Sequence, residues 1–180
     1  MIRGALVACC LLAASPAPGA DVLTGRAATL YRDLSLFHDA GTLTDPAQRA
    51  FFAREAAAAG VRRIRAMTAG EKPKRLIGRQ TGCGRALVVR KHVVIDVDRP
   101  KCLSLHNLAH EIAHVRVFAE RCYGHGDRFY RANYRIAARF DAAFPRAARK
   151  HGSLRAAVLE RARTYRNAAE GCPGKVSIID

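Results

Sequence analysis

His110-Glu111-Ile112-Ala113-His114 sets two imidazoles and a carboxylate within five residues. On an α-helix, side chains at i and i+4 lie on one face, so His110 and His114 can aim ring nitrogens at one metal ion. Glu111 is rotated about 100° from His110 around such a helix, beside the open coordination position rather than on the metal. That place suits a proton acceptor. A catalytic zinc takes three protein ligands and leaves a position for water, whose pKa falls to about 7, so a third donor is required.

His125 is the expected third ligand. It sits in Cys122-Tyr123-Gly124-His125-Gly126-Asp127, where the glycines permit a sharp reversal and Asp127 can cap the following helix. Glu160 and Glu170 are alternative donors from a later helix. His106, one turn before His110, would lie too far along the same axis to ligate, and is expected beside the ligands or in the substrate cleft. Val117 stands where a metzincin has glycine, and Glu120 where it has histidine, which disfavours that subclass. Asp127 or Asp141 is expected to orient a ligand histidine. The chemistry this predicts is amide hydrolysis with one Zn2+ per chain, Glu111 taking a proton from water and returning it to the leaving amine.

Several elements must position these residues. Residues 103–121 form an apolar helical segment whose stripe is Leu105, Leu108, Ile112 and Val115. Helices are expected over 24–38 and over 46–59, the second opened by Asp45-Pro46 and closed by Gly60. The stretch 70–74 breaks the pattern, and 75–97 carries β-branched runs for two or three strands, with a hairpin of 85–90 and 92–97. After His125, Phe129, Ala132, Ile136, Phe140 and Ala143 give a core stripe opposed by Arg128, Arg131, Arg135 and Arg139. Tyr130 and Tyr134 are assigned to the core. A last helix should run from Ser153 to about Ala169, with Leu154, Val158 and Tyr165 inward. The fold class is therefore α+β: one mainly helical domain with a small two- or three-stranded sheet before the motif helix.

The run from Ala86 to Val97, the motif helix, and then Gly124-His125-Gly126-Asp127-Arg128-Phe129 together resemble the SprT-like (Spartan-type) zincin metallopeptidases. The resemblance covers about residues 75–145. It rests on His-Glu-x-x-His, shared by many zincins, combined with the more specific His-Gly-x-x-Phe. It implies a zincin-like fold, zinc ligands at His110, His114 and His125, and Glu111 as catalytic residue of a metallopeptidase.

Residues 1–20 read as a signal peptide: Arg3 gives a positive start, residues 4–14 an apolar run too short to span a bilayer, and small residues lead to Ala20. Leu6-Val7-Ala8-Cys9 is a lipobox-like alternative. Residues 21–180 would then be an exported domain, periplasmic or secreted, with no membrane span. An oxidising compartment turns Cys83, Cys102, Cys122 and Cys172 into two disulfides. Cys102 and Cys122 flank a helix about 28 Å long, beyond the roughly 7 Å a disulfide allows, so they do not pair. The hairpin favours Cys83 with Cys102, leaving Cys122 with Cys172.

Lys plus Arg number 31 against 15 Asp plus Glu, a net charge of +16. Such a surface suits polyanions, and export makes anionic envelope polymers the relevant ones beside a peptide or protein substrate. Two other functions use the same residues: a zinc amidase acting on cell wall, and a catalytically idle, cationic polyanion-binding protein.

Overall fold

A computed structural model describes residues 23–71, 83–118 and 124–164. The expected signal peptide with Cys9, and Glu120, Cys122, Tyr165, Glu170 and Cys172, lie outside them. Helix α1 (Gly25–Asp33) is followed directly by α2 (Ser35–Asp39) in place of one helix over 24–38. The bend at Leu34 lets Leu34 and Phe37 both be fully buried. Helix α3 (Pro46–Ala58) starts as its sequence dictates: the Asp45 carboxylate accepts from the Ala47 N–H at 2.8 Å, and Pro46 occupies the first turn.

Three strands form one mixed sheet in the order β1-β3-β2, from β1 (Arg63–Ala66), β2 (Gly84–Leu87) and β3 (His92–Ile95). The β2–β3 hairpin is antiparallel, pairing Gly84 with Ile95 and Leu87 with His92. It is shorter than expected because the chain already turns through Val88 to Lys91. The expected stretch holds two strands among its described residues, and the third lies before the Gly70 break, where no strand is expected, and runs parallel to β3. Only Ile64 of β1 is buried; its arginines are held outside, Arg63 by Asp33 at 3.0 Å and Arg65 by Glu71 at 2.6 Å. Asp33 also accepts from the Ile64 N–H at 2.9 Å, fastening β1 to the end of α1.

Helix α4 (Leu105–Phe118) is the centre of the molecule, with β2 and β3 packed on it from one direction and α5 (Asp127–Ala143) and α7 (Leu154–Thr164) from another. Its start is set by Ser104, whose hydroxyl accepts from the Asn107 N–H at 3.2 Å. The expected stripe is inward: Leu108, Ile112 and Val115 are buried and Leu105 packs against them. From α5, Phe129, Ala132, Ile136 and Phe140 are buried; Ala143 is exposed, a correction, because α5 ends there and Phe144 takes over the apolar contact. Phe51, Phe52, Phe140 and Phe144 stack with centroids 5.0 to 5.9 Å apart. The short α6 (Pro145–His151) connects to α7.

Cys83 and Cys102 are joined, with Cα atoms 4.7 Å apart, so the residue before β2 is tied to the turn before α4. No helix among the described residues is long and apolar enough to cross a membrane. Asp141, expected near the ligands, instead caps α7: it accepts from the Ser153 hydroxyl at 2.6 Å and from the N–H groups of Leu154 and Arg155 at 3.1 and 3.0 Å. Asp141→Ala should therefore lower stability by about 1–2 kcal/mol in urea unfolding, as loss of a helix cap does, while leaving metal stoichiometry unchanged.

Candidate metal centre

Two elements supply three nitrogens. His110 and His114 project from one face of α4, and His125 enters from the turn before α5, where Gly124 adopts φ +94, a left-handed conformation that glycine takes without strain. The three Nε2 atoms form a triangle with sides of 3.2 Å (His110 to His114), 3.2 Å (His114 to His125) and 3.0 Å (His125 to His110). Nitrogens at 2.0–2.1 Å around a tetrahedral ion stand about 3.3 Å apart, so the triangle has the dimensions of a metal-binding face. Among the described residues these three are the group able to hold an ion. Burial lowers the pKa of His110 to about 2 and of His114 to about 3, and lowers that of His125; neighbouring imidazoles add to the effect at His110 and His114, and Arg161 at His125. All three are thus kept neutral, the form that ligates.

Phe129 explains why the ligands converge. Its buried ring lies 4.7 Å from the ring of His110, 4.3 Å from His114 and 4.8 Å from His125, touching all three ligands at once. The final residue of His125-Gly126-Asp127-Arg128-Phe129 is the floor on which the imidazoles rest.

Glu111 is held from the other side. It is 6% exposed, and burial pushes its pKa up to about 8, opposed by a hydrogen bond from the Ala86 N–H of β2 and by the charge of Arg85. A divalent cation in the histidine triangle would favour the ionised form. Gly84 makes room: a Cβ there would stand 3.0 Å from Glu111 Cγ, 3.1 Å from its Oε1 and 3.0 Å from Ile95 Cδ1. The carboxylate, the triangle and strand β2 open on one cleft of about 460 Å³.

Sequence reasoning missed part of this cleft. Asn107, Tyr130, Asn133 and Arg161 all line it. Tyr130 does pack on the core, as its helical position indicates, yet it also reaches the cleft, with its ring 6.5 Å from that of His125. Other expectations are corrected. Asp127 is exposed and pairs with Arg131 at 3.9 Å, and Asp141 is the α7 cap, so neither orients a ligand. Glu160 is exposed beside Arg163 at 3.6 Å, away from the triangle. His106 lines a separate cavity with Ser104, Phe140 and Leu154, and neither of its buried ring nitrogens has a hydrogen-bond partner.

Two outcomes follow from these contacts. Phe129→Ala should cost about 3–5 kcal/mol of stability, whereas Phe129→Leu should keep the fold but weaken zinc binding in competition with a chromophoric chelator. His106 has its pKa lowered to about 4, mainly by burial. Its contribution to stability is complete above the unfolded value of about 6.5 and is lost as pH falls toward 4. His106→Leu should flatten the fall of the urea midpoint of metal-free protein in that window. Compared with models of protein families, with curated proteins and with solved structures, the chain matches none.

Proposed function

We propose that this protein is an exported, zinc-dependent metallopeptidase of zincin type, with His110, His114 and His125 as ligands and Glu111 as general base. The observation that carries the reading is the pairing of a three-nitrogen triangle, 3.0 to 3.2 Å on a side, with a buried carboxylate that faces the same cleft. Zinc in that triangle would supply a Lewis acid and lower the pKa of a water to about 7. Glu111 accepts the proton of the attacking water and delivers it to the leaving amine, a role suited to a carboxyl whose burial raises its pKa toward neutrality. The Ala86 N–H and the absent side chain of Gly84 fix where that carboxylate stands.

An edge strand beside the cleft supports a peptide as substrate. β2 pairs with β3 on one side only among the described residues, and an extended peptide can lie along such an edge. The Cys83–Cys102 bridge and the leader-like residues 1–20 support export, because disulfides persist in oxidising compartments.

Zinc content and turnover test the reading together. Wild-type protein should bind about one zinc per chain, and His125→Ala should lose it. Glu111→Gln should retain zinc but lose about 10²–10⁴-fold in peptide hydrolysis. Gly84→Ala should also retain zinc and lose activity, by displacing Glu111. Undiminished hydrolysis by Glu111→Gln would overturn the assignment of the base; no zinc in reconstituted wild type would overturn the enzyme.

A further inference from the structure

The cleft is electrostatically one-sided. Arg85 on β2 and Arg161 on α7 both line it, both are exposed, and neither makes an ion pair with a described residue. Other arginines near carboxylates are engaged: Arg63 with Asp33, Arg65 with Glu71, and Arg139 with Glu55. The fields of both cleft arginines reach the groups of the site, Arg85 at Glu111 and Arg161 at His110 and His125. Glu111 is the one carboxylate lining the cleft among the described residues, and it is buried against β2.

A second observation marks the same place as built for a ligand. Asn133, on α5 between these walls, is 1% exposed, yet its Oδ1 has no hydrogen-bond partner. Leaving a buried polar atom unmade costs about 1–3 kcal/mol, and such groups are completed by a ligand or an ordered water. A side-chain amide offers both a donor and an acceptor, the complement of one peptide unit.

We propose that the cleft selects peptides with an acidic side chain flanking the scissile bond, Arg161 reading the carboxylate while Asn133 holds the adjoining main chain. This rests on the peptidase reading and names its substrate class. Guanidinium is suited to the task, since its planar fork matches a carboxylate. Arg85, on the strand that carries the Ala86 N–H, adds positive potential from a second wall.

The test uses oxidised, zinc-loaded protein and peptide pools that differ only in Glu, Gln or Lys at each position around the scissile bond. Because the whole chain is basic, Arg149→Gln, on exposed α6, serves as the charge control. Wild type and Arg149→Gln should prefer Glu over Gln at one position by about five-fold in kcat/KM, the scale of an exposed ion pair. Arg161→Gln should reduce that preference to under two-fold, and Arg161→Glu should turn it toward Lys. Asn133→Leu should raise KM for all three peptides alike. Cleavage with no acidic preference, or a preference that survives Arg161→Gln, overturns the inference while leaving the peptidase reading intact. Cleavage of no peptide by the zinc-loaded wild type removes that reading, and the inference with it.

Discussion

One aromatic ring sets the geometry of the centre. Phe129 lies 4.3 to 4.8 Å from all three imidazoles, so the docking of α5 on α4 bears on how far His125 stands from the two helix ligands. Buried aromatic contacts of this kind combine a large apolar area with a directional preference. Histidines i and i+4 on a helix can share an ion without help; a third nitrogen from another segment cannot, unless that segment is docked to within a fraction of an ångström. The docking is done by α5, whose apolar stripe continues from Phe129 through Ile136 to Phe140.

Charge is managed differently on the far side of the same helices. Glu55 of α3 is buried between Arg139 of α5, at 2.6 Å, and Arg116 of α4, at 3.7 Å. Burial nevertheless raises its pKa, outweighing both guanidinium groups. Such a triad adds little net stability against an apolar alternative, and it joins three helices at one carboxylate.

The parts legible in the sequence were those governed by local spacing. Histidines four apart on an apolar stripe, a Pro after an Asp at a helix start, and a hairpin that returns Cys102 to Cys83 each follow from a few neighbouring residues. β1 was missed because two arginines in four residues, Arg63-Ile64-Arg65-Ala66, look like a polar turn until Asp33 and Glu71 are brought to them. Asp141 looked like a partner for a ligand because its link to Ser153 spans a helical connection that no local rule describes. Nor could spacing unite Gly84, Asn133 and Arg161, which meet only after the sheet and α7 have packed around α4. A glycine at the start of a strand gives no hint that a carboxylate 27 residues onward occupies the volume of its missing side chain.

That dispersal has a consequence in time. A chain folded only as far as α4 owns two of the three nitrogens, because His125 and the ring beneath it belong to the next segment. The wall behind Glu111 is β2, which pairs with β3 and is tied by the 83–102 bridge to the turn before α4. Arg161 arrives last in chain order. The residues of the proposed hydrolytic apparatus thus share one chain only once α5 has been made, and the full lining of the cleft only once α7 has followed, so the site is a property of the assembled fold rather than of the motif helix.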